Sequence, residues 1–194
     1  MRCWIVIPVK APQLCKTRLS PVLGENERRR LVATMLRRTV SAAQAVTGRE
    51  QVLLLGPSRH GLAEDIPLLN DPGQGLNVAL TSARDAAIGE GVDRLLILSA
   101  DLPLIEPDDV TALLNLPRDG IAVAPDHAGT GTNALSLPLP GAAEFRFHYG
   151  EGSFAAHEAE TGRLGLPFRS VQRPGLELDI DRPEELALWR RGKP

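Results

Sequence analysis

Cysteine is scarce: Cys3 and Cys15 are the two thiols in 194 residues, and neither has a second thiol or a histidine at metal-ligand spacing. A structural zinc site and a disulfide-stapled scaffold are therefore excluded, and a reduced, cytoplasmic setting is expected. Long apolar runs are also missing. The opening MRCWIVIPVKAP is apolar for about seven residues, too short for a signal-peptide core or a membrane span. Charge of one sign is not in excess either. A formal net charge of −2 gives no pull toward nucleic acid or an anionic membrane. Two signatures are absent as well, the Walker pattern G-x-x-x-x-G-K-[ST] and the nucleophile elbow G-x-S-x-G. His127, His148 and His157 have no acid partner at a diagnostic spacing, so a catalytic triad is not expected.

What is present suits one α/β domain spanning residues 1–194, long enough to bury roughly 70% of its unfolded surface. Apolar runs rich in β-branched residues predict strands over 3–9, 51–55, 94–99 and 120–124. Helical periodicity predicts helices over 26–46, 75–88 and 107–114 between them. That alternation implies a mostly parallel sheet with helices on both faces. Further on, strands are expected over 133–137, 146–149 and 166–170, with short helices over 153–161 and from 183. In helix 26–46 the apolar stripe includes Leu31, Met35, Leu36 and Val40. The arginines of ERRR and Arg37–Arg38 fall mostly off it, which reads as a solvated face rather than a polyanion site.

Ligands of open α/β sheets bind beyond the carboxyl ends of strands, and there the chemistry gathers. The first strand runs into PVKAPQLCKTRLSP, where Lys10, Lys16 and Arg18 share one loop. Three cations there suit a polyphosphate, though an ordinary surface loop would look the same. In NDPGQGLNVAL, Gly73 and Gly75 permit close backbone approach, while Asp71 and Asn77 offer polar contacts; Asp71 could equally cap the helix. Asp101 ends the buried run LLILSADLPLI. A carboxylate there is costly unless paired, and a divalent cation is a good partner; Glu106 is the better-placed cap for the next helix. In LELDIDRPEEL, Asp179 and Asp181 alternate along a strand-like segment and so share a face, with Asp181 also a candidate helix-entry cap. APDHAGTGTNAL and HYGEGSFAAH could each wrap an anion with backbone amides. The first could also be a plain hairpin, and Ser153 in the second a plain N-cap.

In this order the segments P-V-K…K-T-R-L-S-P, D-P-G-x-G-L-N, S-A-D-L-P-L, A-P-D…G-T-G-T-N-A-L, F-x-Y-G-x-G-S-F-x-x-H and L-D-I-D-x-P-E-E-L resemble one family. It is the 2-phospho-L-lactate, phosphoenolpyruvate or 3-phospho-D-glycerate guanylyltransferase family of coenzyme F-420 biosynthesis. The resemblance runs from about residue 4 to 188. It implies a single-domain, Rossmann-like nucleotidyltransferase of the glycosyltransferase-A type, with a mostly parallel, mixed sheet. It implies GTP as co-substrate, two Mg²⁺ ions, and a downstream deazaflavin transferase that receives the product. Carried over by position, Asp101 and Asp179 match metal aspartates, with Asp181 a second contributor. Thr132, Gly150 and Ser153 match acceptor-binding positions, and Lys10, Lys16 and Arg18 the basic loop that meets the triphosphate. Asp71, Gly75 and Asn77 fall where the guanosine should lie. Pro8-Val9-Lys10-Ala11 stands where sugar-nucleotide and molybdenum-cofactor nucleotidyltransferases carry a glycine-rich loop, which weakens that alternative. A non-catalytic nucleotide-binding module would be expected to have degraded acidic sites, and all three aspartates are present. The acceptor acid and the oligomeric state, a homodimer included, are not readable from the sequence.

Overall fold

The computed structural model describes residues 1–117 and 119–192; residues 118, 193 and 194 of the expected 1–194 domain lie outside the described residues. Seven strands make one sheet: β1 (Cys3–Pro8), β2 (Val52–Leu55), β3 (Leu68–Leu69), β4 (Arg94–Leu98), β5 (Ile121–Pro125), β6 (Thr132–Pro138) and β7 (Phe168–Ser170). Their order is β3-β2-β1-β4-β6-β5-β7. β6 runs antiparallel to both β4 and β5, and every other pairing is parallel. The expected mixed, mostly parallel α/β sheet is therefore present.

The buried run of β4 divides between two cores, as a period of two requires. Leu96 and Leu98 join Ile5, Ile7 and Leu54 on one face. Leu95 and Ile97 join Val6 and Leu55 on the other. The first face is covered by α1 (Glu25–Thr47) and α3 (Pro107–Leu114), which bring Leu36, Val40, Val110 and Leu113. The second is covered by α2 (Leu76–Gly89) through Ala79, Leu80 and Ala83, and by Phe154 of α4 (Ser153–Arg163). Two further helices, α5 (Pro174–Glu177) and α6 (Pro183–Arg191), close the chain. Local punctuation sets α3: Glu106 stands at its N-cap, Pro107 opens it, and Asp109 accepts a hydrogen bond from the Glu106 amide at 2.9 Å.

Four expectations are corrected. Residues 146–149 form no strand, because their amides are taken by side chains instead of a neighbouring strand. Arg146 N donates to Glu160, His148 N to His157 Nε2, and Tyr149 N to Asn77 Oδ1. The Asp179–Asp181 segment is not a strand either; it leaves α5 as an unpaired extended stretch. Ser153 is not the N-cap of α4. That place belongs to Gly152 in the left-handed region (φ 69°), and Ser153 is already helical and buried. Nor does Asp181 cap α6, whose N-cap is Arg182. Glu185 serves this end, accepting from the amides of Asp181 (2.5 Å) and Arg182 (2.7 Å), and the Asp181 carboxylate is left to face elsewhere.

Candidate active site

After β1 the chain turns back to build β2 and β3 on one side, then crosses to β4 on the other. The crevice at the carboxyl ends of β1 and β4 is thus the switch point of the sheet. A cleft of about 620 Å³ opens there, with Lys10, Lys16, Asp71, Gly75, Asp101 and Asp181 among its lining residues. The apolar wall is supplied by Val32, Met35 and Leu36 of α1 and by Ile97 of β4.

The three expected metal aspartates converge. Asp101, Asp179 and Asp181 each present a carboxylate oxygen within 4.8 Å of the others. Asp101 arrives directly from β4. Asp179 is delivered by Asn133, whose Nδ2 donates to Leu176 O (2.9 Å), Glu177 O (3.2 Å) and Asp179 Oδ1 (3.3 Å). One buried amide at the start of β6 therefore fixes the whole segment after α5 against the end of β4, where Ser99 N donates to Asn133 O at 2.9 Å. Asn133 was not singled out from the sequence. Its only signal was its place in the G-T-G-T-N-A-L segment.

Lys16 reaches into this acidic cluster. Its side chain is 8% exposed, and its ammonium bonds Asp101 and, at 2.5 Å, Asp181. Burial alone would lower its pKa, but the two carboxylates override that and hold the ammonium firmly charged. Lys16 adopts a left-handed backbone (φ 53°) between two short 3-10 turns, Pro12–Leu14 and Thr17–Leu19. Cys15 stabilises the same loop by donating its thiol to Ala11 O (3.4 Å) and Lys10 O (3.7 Å). Arg18 is more peripheral: its guanidinium lies 3.9 Å from Asp181, largely exposed.

The charges are unequally balanced. Burial and the Asp101 carboxylate push Asp179 up to about 6, against a smaller opposing effect from Asn133. Burial would raise Asp181 too, yet Lys16, Lys10 and Arg18 hold its carboxyl below the ordinary range. Three half-buried carboxylates with one strained upward form an all-oxygen donor set that a hard divalent cation would relieve.

The remaining expected residues separate. Asp71 and Gly75 line the cleft, and Asp71 Oδ1 accepts from Gly73 N at 2.8 Å in a local turn. Asn77 clamps the chain behind the cleft: its Nδ2 donates to Tyr149 O (3.1 Å) and its Oδ1 accepts from Tyr149 N (2.8 Å). Thr132 begins β6 beside Asn133 but points to the opposite face, where its hydroxyl lies 3.0 Å from His157 Nδ1. Gly150 (φ 139°) and Ser153 follow Tyr149, whose ring reaches the cleft. The loop before Thr132 is a tight hairpin turn, with Asp126 accepting from Thr130 N at 2.8 Å, so the amides of Asp126, Gly129 and Thr130 are used internally.

A mostly parallel sheet with an acidic cluster and a basic loop meeting at its switch point defines a nucleotidyltransferase-type enzyme. The fold is shared with a putative nucleotide-diphospho-sugar transferase from Desulfovibrio desulfuricans G20, at a TM-score of 0.72 and 20% identity over 98% of this chain and 87% of that one. Residues 3–189 match the family described as "Guanylyl transferase CofC like", and the chain belongs to that family. A phosphoenolpyruvate guanylyltransferase from Rubrobacter xylanophilus is 43% identical over 96% of this chain and 93% of its own length. A 2-phospho-L-lactate guanylyltransferase from Methanosarcina mazei is 35% identical over 93% of this chain and 83% of its own.

Proposed function

We propose that this chain, acting as one domain, transfers GMP from GTP to a small phosphorylated carboxylic acid and releases diphosphate, as a step of coenzyme F-420 biosynthesis. The observation that carries it is the Asp101–Asp179–Asp181 cluster threaded by Lys16 at the switch-point cleft. Phosphoenolpyruvate is the first acceptor to test, since the relative at 43% identity carries that name, with 2-phospho-L-lactate next.

A phosphate acceptor is already ionised at neutral pH, so its oxygen can attack the α-phosphorus in line with the departing diphosphate without a general base. That agrees with a cleft whose described lining offers cations and carboxylates but no poised histidine–nucleophile pair. Catalysis then rests on positioning and charge. Lys10 and Lys16 meet the triphosphate, and Lys16 exchanges its carboxylate contacts for phosphate oxygens as the nucleotide enters; Arg18 supports them from the rim. Asp71 and Gly75 face the guanosine, with Asn77 keeping that wall in place through Tyr149. The acceptor enters beside Tyr149 and Gly150, with the buried Thr132 and Ser153 supporting that side through His157 and α4. Mg²⁺ held by Asp101 and Asp179, with Asp181 beside them, would neutralise charge on the phosphate oxygens.

The test is to incubate the protein with Mg²⁺, each nucleoside triphosphate and a mixture of phosphoenolpyruvate, 2-phospho-L-lactate and 3-phospho-D-glycerate. Diphosphate release is followed and the product weighed by mass spectrometry. GTP-dependent release with a guanylylated acid is expected. No release with any of the three acids, against release in a parallel incubation with a sugar phosphate, would overturn the reading.

A further inference from the structure

A second cavity, about 710 Å³ in volume, lies beside the active-site cleft between α1 and the segment that follows β2. Arg30 and Arg37 stand seven residues apart on α1, so they share one face of the helix. Together with Arg29 they form one wall, and Ser58, Arg59 and His60 form the other. Among the described residues no carboxylate lines this groove.

Several arginines outside the groove are already paired. Arg38 is paired with Glu106, Arg49 with Asp65 at 2.6 Å, and Arg28 donates to Leu23 O at 2.9 Å. Within the groove only Arg29 has a carboxylate partner, Glu25 at 2.6 Å. Arg30 and Arg37 have none among the described residues, and Arg59 spends only its Nε, on Ile66 O at 2.9 Å. Arg190 and Arg191 of α6 also lack partners among the described residues, but they stand on one exposed element, whereas Arg30, Arg37 and Arg59 come from two elements to line one concavity. Ser58 adds a separate mark. Its hydroxyl oxygen is buried and lacks a partner among the described residues, and rotation of the half-buried side chain toward the groove would give it a bound acceptor.

We propose that this groove binds a small molecule through a phosphate or diphosphate group, held by Arg30, Arg37 and Arg59 with Ser58 beneath. Planar guanidiniums converging from two elements suit phosphate oxygens, which they bond in pairs. The groove also communicates with the cleft. His60, itself in the left-handed region (φ 50°), belongs to the walls of both, and its Nε2 lies 2.6 Å from Lys10 O. A ligand seated against Arg59 and His60 would therefore press on the backbone that carries Lys10.

The site does not depend on guanylyl transfer, so its test omits the reaction. Inorganic phosphate and inorganic diphosphate are titrated calorimetrically into the metal-free protein at fixed ionic strength, with sulfate as the control anion. Wild type is compared with Arg30→Gln/Arg37→Gln and with Lys10→Gln, which perturbs the cleft alone. The double variant should lose at least tenfold in affinity while keeping its melting temperature, since both side chains are exposed. Lys10→Gln should retain the binding. Tight binding of phosphate alone would mark a phosphomonoester site, and binding restricted to diphosphate a site for the released product class. Affinity of the double variant within twofold of wild type, or equal binding of sulfate, would overturn the proposal.

Discussion

Replacing His157 with glutamine should remove one component of the protein's pH-dependent stability. The imidazole is fully buried on α4, with Tyr149 packed edge-on at 4.9 Å between ring centres. The His148 amide can only donate, so His157 Nε2 must carry the lone pair that meets it at 3.0 Å. Nδ1 then carries the proton and donates to the Thr132 hydroxyl. A second proton, on Nε2, would set one N–H against another. Burial and the nearby His148 ring push His157 down to about 4 from its ordinary 6.5, with Glu160 opposing more weakly. The unfolded chain takes that proton near pH 6.5 and the folded chain only near 4. Between those values the unfolded state binds more protons, so this residue's contribution is complete above about pH 6.5 and drains away on acidification. At about 1.4 kcal/mol per pH interval the loss amounts to about 3 kcal/mol. Asp179 works in the opposite sense. Its carboxyl is raised to about 6 from 3.8, so the folded state holds the extra proton and stability rises as pH falls through that window. The two slopes oppose each other in the wild-type profile. Urea unfolding of wild type and His157→Gln at intervals from pH 4.5 to 7.5 separates them, because Asp179 contributes to both proteins and cancels in the difference. At pH 7.5 the variant should be weaker by about 1–3 kcal/mol, for two lost hydrogen bonds. That gap should shrink steadily toward pH 4.5 and reverse sign if the bond cost is small. A gap independent of pH would refute the assignment of a neutral, Nδ1-protonated ring.

Asp101→Asn should reduce diphosphate release by about a hundredfold or more while the thermal transition survives, because a half-buried carboxylate is lost from a cluster of three; near-normal turnover would sink its role. Tyr149→Phe should leave stability unchanged or raise it by up to about 1 kcal/mol, since the phenolic oxygen is buried with no partner and its removal relieves that cost; a clear loss in urea midpoint would show that the hydroxyl is satisfied in solution. Gly175→Ala should cost about 1–3 kcal/mol, because a methyl there enters the space of the Asp109 carboxylate, which Arg173 and the Glu106 amide hold in place. The same variant should lower turnover by shifting the segment that leads to Asp179, and unchanged activity with lost stability would show that the segment moves independently.

The parts of the fold that could be read from the sequence are those whose cause is local. β4 was legible because a strand buried on both faces must be apolar at every position, and Leu95–Leu98 is. Helix α3 was legible from its periodicity, with Glu106 and Pro107 marking its first residue. β3 was not, since its two residues become a strand only by pairing with β2, where Leu54 N donates to Pro67 O. Residues 146–149 show why a correct alternation can still mislead. Phe145 and Phe147 are buried as a strand pattern would ask, but the amides of Arg146, His148 and Tyr149 answer to Glu160, His157 and Asn77. The same division runs through the site. Carboxylates and lysines announce themselves by type, so Asp101, Asp179, Asp181 and Lys16 could be selected before any geometry was known. The groups that shape the site are two asparagines: Asn133 ties the Asp179 segment in, and Asn77 holds Tyr149 behind the cleft, by amides that bond backbone 43 and 72 residues away in the chain. A carboxamide carries no charge and has no diagnostic spacing, so its task is set entirely by what the fold brings beside it. Asn133→Ala is therefore the sharper probe of the site's assembly: it leaves every charged group in place, and it should still detach Asp179 from the cluster.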